Sequence, residues 1–246
     1  MEPHAFVDCH SHVVPSGDDG AASIEEGLAL CRDAAEHGTA VLFATPHVWP
    51  QLTLTEERER EIRARLEALR GRAGLELRLG YELTPAPPLL REDLRRYALE
   101  DTDFVLIEAP FSGGLGVLLA LLGRIEAQGL RPIVAHPERA EAVQADPSLL
   151  DDLVTGERLI QVNSTSLLGR HGPVAEELGW ELVGDARAAL VASDGHRAAR
   201  AARLDDAFAA ALERVGEGAV ALFDGSALGV VPSAERRRSR AGSRGA

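Results

Sequence analysis

The chain of 246 residues contains no lysine: all 26 of its basic residues are arginine. A Schiff-base aldolase, a pyridoxal-phosphate enzyme and a P-loop nucleotidase each require a lysine amine, so none of these chemistries can be written on it. Cysteine is nearly absent too. Cys9 and Cys31 lie in apolar stretches and form no CxxC pair, which predicts free buried thiols in a reducing compartment. Neither can be the nucleophile of a thiolate phosphatase loop, which needs arginine six residues on. Those positions hold Pro15 and His37. No Gly-x-Ser-x-Gly elbow is present. No apolar run reaches the roughly eighteen residues of a membrane span, and no basic start precedes an apolar stretch. A cytoplasmic location without a membrane span is expected.

Positive charge is also short. The net charge of −13 argues against a surface that tracks nucleic acid or anionic lipid, since both need a positive field. The exception is the end of the chain, where five arginines stand with one acid between Glu235 and Ala246. The expected organisation is one barrel-sized domain over residues 1–224, followed by an Arg-rich, solvated and disordered tail over 225–246.

What the sequence does contain is histidine and carboxylate in a repeating position. Phe6 to Cys9 begins a strand that delivers Asp8, His10 and His12, which period-two alternation points one way, and Asp19 follows in a Gly-bounded turn. Ser23 with Glu26 makes a capping box, and Ile24, Leu28, Leu30 and Ala34 form the apolar stripe of a first helix that stops at Gly38. The run 40–44 reads as a buried strand ending before His47. A charged amphipathic helix follows over 55–72 with Ile62, Leu66 and Leu69 inward. Strands at 75–79, 103–107, 132–135, 159–162 and 189–192 then deliver Glu82, Glu108, His136, Asn163 and Asp194 with His196. Helices are expected over 115–128, 174–187 and 198–214. Strands alternating with helices predict an α/β fold with parallel pairing, and at this length a closed (β/α) barrel.

His10, His12, His47, Glu82, Glu108, His136, Asp194 and His196 all fall at or just past the C-terminal ends of strands, where such a barrel gathers its active site. With Asp19 they form a set of five imidazoles and four carboxylates without a thiolate, too many ligands for one ion and suited to two or three. Oxygen and imidazole donors favour manganese, iron or zinc. Three divalent ions would leave a positive well inside an acidic protein, so the substrate should be anionic, with water acidified by the metals as nucleophile. Arg139, three residues past His136, is placed to clamp phosphate with its planar fork. His4, His37 and His171 occupy a terminus, a helix end and a loop and are assigned no chemistry.

These residues carry a family resemblance. Asp8-x-His10-x-His12, Asp18-Asp19-Gly20, Thr45-Pro46-His47, Gly80-x-Glu82, Ile107-Glu108, His136-Pro137-Glu138-Arg139, Gln161-x-Asn163 and Ser193-Asp194-x-His196 resemble the PHP (polymerase and histidinol phosphatase) superfamily. Within it they are most similar to the manganese-dependent tyrosine phosphatases of bacterial capsule and exopolysaccharide genes, the CpsB/CapC type. The resemblance covers Phe6 to Val215.

It implies a distorted (β/α)7 TIM-like barrel, the PHP fold, with three metals. His10, His12, Glu82 and Asp194 would hold one ion, and Glu82 would bridge to a second held by Glu108 and His136. Asp19, His47 and His196 would hold the third. It also implies an arginine shortly after the last Asp-x-His, a place for which Arg197 and Arg200 both compete. The implied substrate is a phosphotyrosyl protein, a bacterial tyrosine kinase or its adaptor.

One departure follows His47, where Val48-Trp49-Pro50-Gln51-Leu52 replaces a small, polar rim. Trp49 there could stack on a phenyl ring. The competing readings are a small-molecule phosphatase of the histidinol-phosphate kind, an amidohydrolase-like or nuclease-like barrel hydrolase, and a non-catalytic metal-holding regulatory module. Oligomeric state is left open.

Overall fold

A computed structural model describes residues 5–48 and 50–232. Trp49 and the Arg-rich run 233–246 lie outside the described residues. Strands β1 (Phe6–Asp8), β2 (Thr39–Ala44), β3 (His47–Val48), β4 (Glu76–Leu79), β5 (Glu82–Leu83), β6 (Phe104–Glu108), β7 (Arg131–Ala135), β8 (Leu159–Asn163) and β9 (Leu190–Ala192) pair in parallel throughout. They alternate with helices α1 (Ile24–Glu36), α2 (Glu56–Arg70), α3 (Gly116–Ala127), α4 (Glu141–Ala145), α5 (Leu150–Leu153), α6 (Ser164–Leu167), α7 (Pro173–Gly184) and α8 (Asp205–Val215).

The strands fall into two ladders, β1-β2-β4 and β3-β5-β6-β7-β8-β9. The division is local. Thr45-Pro46 separates β2 from β3 because proline has no N–H for the ladder, and Gly80-Tyr81 separates β4 from β5. Backbone bonds cross both interruptions, from Gly80 N to Ala44 O at 2.8 Å and from Glu82 N to Pro46 O at 3.2 Å. Each broken pair is thus one stave, which makes seven among the described residues. The ring closes through a parallel bridge of Ser11 with Gly195, with Asp194 N donating to His10 O at 3.0 Å and His12 N to Gly195 O at 2.7 Å. Gly80 is required by close approach: a Cβ there would lie 2.3 Å from Leu99 Cδ2.

Alternation along the staves sorts the core into two layers. Val7, Cys9, Val41, Phe43, Phe104, Leu106, Ile133 and Leu190 fill the barrel interior. Residues of opposite parity, such as Val105, Ile107, Val134, Ile160 and Val191, face the helices. Those helices present the stripes their sequences predict, Leu28, Leu30 and Ala34 on α1 and Ile62, Leu66 and Leu69 on α2. Ser23 Oγ caps α1 by accepting from Glu26 N at 3.2 Å, and Glu26 Oε2 accepts from Ala22 N at 2.8 Å, one residue earlier than the expected box.

Three local departures from the sequence reading have physical causes. The expected helix 198–214 is divided: Ala198–Arg200 is a 3-10 turn, Ala201 is extended, and α8 begins at Asp205. The bond from His196 N to Arg200 O at 2.9 Å draws this turn back to the barrel mouth. Asp8 does not point with His10 and His12. β1 ends at Asp8, whose Oδ1 accepts from the backbone N–H groups of His10 at 3.2 Å and Ser193 at 3.1 Å, joining the first stave to the last. Residues 225–232, assigned by sequence to the tail, run beneath the barrel, where Leu228 and Val230 are buried with Val7. No helix among the described residues is long and apolar enough to cross a membrane.

Candidate metal centre

The mouth of the barrel is built from strand ends and the loops that leave them. Glu82 sits at the start of β5 and Glu108 at the end of β6, while Gln161 and Asn163 alternate inward on β8. His136 and Asp194 follow β7 and β9 in the left-handed region, with φ of 39° and 51°. Such conformations are costly for residues with a Cβ and persist where the surroundings over-determine them. At His136 the turn brings inward a ring that strand parity would send outward, since Ala135 already faces the interior.

The side chains converge on Glu82. Its Oε2 lies 3.2 Å from His10 Nε2, 3.2 Å from His12 Nε2 and 2.9 Å from His47 Nδ1, and its Oε1 lies 3.0 Å from His136 Nε2. Asp194 Oδ1 is 3.5 Å from both His10 Nε2 and His12 Nε2. Asp19 Oδ1 stands 3.4 Å from His47 Nε2 and 3.4 Å from His196 Nε2, its side chain 60% exposed at the solvent edge. Glu108 accepts from the Thr84 hydroxyl through its Oε1 and stands near enough for the charges of Glu82, His47 and His10 to act on it. The nine residues read from sequence therefore gather at one mouth, with Asp19 the most exposed.

A second layer orients them. His10 Nδ1 donates to Gln161 Oε1 at 3.0 Å in the tautomer that turns the Nε2 lone pair toward Glu82. Gln161 Nε2 donates to Asn163 Oδ1 and Asn163 Nδ2 to Asp194 Oδ2, both at 2.8 Å. Asp18 reaches His12 Nδ1 at 3.6 Å and accepts from His47 N at 3.0 Å. The turn carrying Asp18 and Asp19 can cross His12 only because residue 20 is glycine: a Cβ there would lie 2.4 Å from His12 O. Arg58 of α2 donates to the carbonyls of Ser16, His47 and Leu52 and ties these loops together.

The charges on these groups follow from burial working against their partners. Burial opposes ionisation of Glu82 and Asp194, yet the imidazoles around them hold both well below the usual carboxylate range. Burial likewise opposes the charge of His12, and the neighbouring carboxylates of Asp18, Asp194 and Glu82 raise it well above an ordinary histidine. Glu108, pushed up by burial and by the charge of Glu82, reaches about 7.

The donor set fits divalent metal ions. Glu82 Oε2 is buried without a well-formed hydrogen bond, although three imidazole nitrogens surround it. His10 Nε2 and His12 Nε2 face each other at 3.2 Å. Converging lone pairs of this kind call for a cation among them. Among the described residues, three groups have ligand atoms mutually within 4.8 Å: His12, His47 and His196; His10, Glu82 and His136; His10, His12 and Asp194.

The arginines differ. Arg139 Nη1 donates to Asp194 Oδ2 at 2.8 Å, and its guanidinium lies 4.6 Å from the centre of the Phe111 ring. Arg200 donates to His196 Nδ1 and stands 3.7 Å from Asp194 Oδ1. Arg197 turns aside, donating to Asp19 O at 3.1 Å beside a separate cavity with Arg65 and Ile24. Of the two competitors, Arg200 therefore reaches the centre.

Sequence reasoning assigned no role to Asp18, Thr84, Phe111 or His171. His171 accepts from or donates to Thr165 Oγ1 at 2.8 Å, and burial together with the charges of Arg139 and Arg200 lowers it to about 4. The inward parity of Gln161-x-Asn163 on a strand was a readable signal. A single histidine in the loop after α6 offered none.

The chain is similar to known proteins in both sequence and fold. The chain is 30% identical over 205 residues to tyrosine-protein phosphatase YwqE of Bacillus subtilis, covering 78% of this chain and 77% of that one. It is 27% identical over 169 residues to tyrosine-protein phosphatase CpsB of Streptococcus agalactiae, covering 66% and 69%. Among solved structures, one from the pair YwqE of B. subtilis and CpsB of Streptococcus pneumoniae, described as metal-dependent tyrosine phosphatases, superposes with a TM-score of 0.75. Its identity is 26% and the coverage 87% and 90%. The dihydroorotase-like domain of a Chaetomium thermophilum multifunctional protein shares the fold alone, at a TM-score of 0.55, 10% identity, and 89% and 77% coverage. Residues 6–223, the whole of the barrel and its mouth, match the family described as capsular polysaccharide synthesis, CpsB/CapC, and to that family this chain belongs.

Proposed function

We propose that the chain is a metal-dependent protein-tyrosine phosphatase acting in the regulation of capsule or exopolysaccharide synthesis. The observation that carries this reading is the meeting of two guanidinium groups with a histidine and carboxylate cluster at one mouth. Arg139 and Arg200 both engage Asp194, which itself adjoins His10 and His12. The relatives named tyrosine-protein phosphatases support the substrate class.

Two or three divalent ions are the cofactor, manganese first, with iron or zinc as alternatives. His10, His12, Glu82 and Asp194 hold one, Glu82, Glu108 and His136 a second, and Asp19, His47 and His196 a third. Ions of this type acidify water and neutralise phosphate charge when bound. The rest of the work belongs to the chain. Arg139 and Arg200 offer paired N–H donors to phosphate oxygens. Gln161 holds the His10 tautomer, Asn163 holds the Asp194 carboxylate, and Asp18 holds His12, so the donors are oriented before substrate arrives. The leaving phenolate, with a pKa of about 10, departs more readily than a serine alkoxide. The substrate is a phosphotyrosyl protein, a tyrosine kinase or its adaptor, met in the cytoplasm.

The test is initial rates after manganese reconstitution on a phosphotyrosyl peptide, a phosphoseryl peptide and histidinol phosphate. The phosphotyrosyl peptide should have the highest kcat/KM. Preference for histidinol phosphate would replace this reading with the small-molecule one, and turnover of none would leave a regulatory metal module.

A further inference from the structure

Phe111 is one of the few large apolar side chains exposed among the described residues, at 46% of its surface. It follows Glu108 by three positions, in the loop Pro110-Phe111-Ser112-Gly113-Gly114. Its position is not random on the surface. The ring lies parallel to the His136 imidazole, at an interplanar angle of 0° and a centroid separation of 5.6 Å, an offset stack. The Arg139 guanidinium sits 4.6 Å from the ring centre. Phe111 O also accepts from Glu141 N at 2.9 Å, which ties the loop to the helix just past Arg139. One phenyl ring therefore touches both a proposed metal ligand and a proposed phosphate clamp while much of it remains open to water.

Resting on the phosphatase reading above, we infer that Phe111 is the residue that receives the tyrosyl ring of the substrate and so sets the preference for aryl over alkyl phosphate esters. The metals and arginines recognise phosphate alone, so discrimination in binding, apart from the better phenolate leaving group, must arise one ester oxygen away. A phosphate held by Arg139 carries its aryl group to the immediate neighbourhood of that guanidinium, where Phe111 already lies. A phenyl substituent there can meet the ring face to edge or in an offset stack, geometries that aromatic pairs prefer. A serine ester has only a methylene to offer at the same point. The exposed apolar surface, otherwise a liability at a solvated mouth, is covered when the aromatic substrate binds. The contact exists before and during bond breaking, so its loss should appear mainly in KM.

The experiment compares wild type, Phe111→Leu and Phe111→Tyr, each reconstituted with manganese and checked for metal content. kcat/KM is measured on phenyl phosphate and on an alkyl phosphate of similar charge. Binding of phenylphosphonate and methylphosphonate is measured by calorimetry, which requires no turnover. In Phe111→Leu the aryl-to-alkyl ratio should fall about two- to tenfold in both rate and binding, and Phe111→Tyr should restore it. An unchanged ratio in Phe111→Leu, or equal losses on both esters, would overturn the assignment, because the ring would then act only through Arg139 and His136. Wild type that hydrolyses neither ester would overturn the phosphatase reading itself, and with it this inference.

Discussion

His12 Nδ1 stands 3.6 Å from Asp18 Oδ2, while its other ring nitrogen, Nε2, stands 3.2 Å from Glu82 Oε2. The imidazole is set between a carboxylate that orients it and one that shares its ligand position. Asp18 is therefore more than a turn residue, and the two carboxylates should differ in what their loss does.

Replacing Glu82 with Gln should strip metal from the protein, since one side chain touches four imidazoles. Asp18→Asn should lower metal affinity less, by about ten- to a hundredfold, as loss of an orienting partner does. Elemental analysis after manganese reconstitution, with competition against a chelator, measures both. Fewer than one metal per wild-type chain would remove the basis of the proposed centre.

Arg139→Lys should lower kcat/KM on any phosphate monoester about ten- to a few hundredfold, the worth of a charged hydrogen bond of roughly 1.5–3 kcal/mol. Metal content should stay near wild type, because lysine can keep the single bond now made to Asp194 Oδ2. A rate equal to wild type would return Arg139 to a purely structural ion pair.

Arg200 and Arg197 should separate. Arg200→Lys is expected to reduce kcat/KM by about tenfold or more, and Arg197→Lys by less than about threefold, because only the former guanidinium meets His196 and Asp194. Equal losses would show that Arg197 swings inward when substrate binds.

The pH dependence follows from His47. Burial works against its charge, but Glu82 and Asp19 outweigh it and raise the pKa to about 9 from an ordinary 6.5. In protein stripped of metal, the stability this proton contributes is fully present below about 6.5 and is lost as pH rises through about 9. Metal requires the neutral ring, so apparent affinity runs the opposite way and rises with pH over the same window. Calorimetric manganese titrations and thermal melts of chelator-treated protein across that window test the two trends. Affinity that does not rise would contradict this coupling.

Much of the molecule was legible in one dimension. Period-two and period-3.6 patterns are local, so the staves, the stripes of α1 and α2 and the strand-end placement of eight ligand-type residues could be read directly. The family motifs, Asp18-Asp19-Gly20 and His136-Pro137-Glu138-Arg139 among them, pointed to the activity. The tertiary structure decided what depends on distance through space. Closure of the first stave on the last brings Asp194 against His10 across most of the chain length, and no local pattern encodes that contact. The choice of Arg200 over Arg197 rests on a 3-10 turn where helical periodicity suggested a continuous helix. Asp8 does not share the direction of His10 and His12 because β1 ends there and its carboxylate joins backbone N–H groups of two staves. Phe111 became significant only when folding laid its ring on His136 and Arg139, since an aromatic residue in a glycine-rich loop has no chemistry until neighbours supply it.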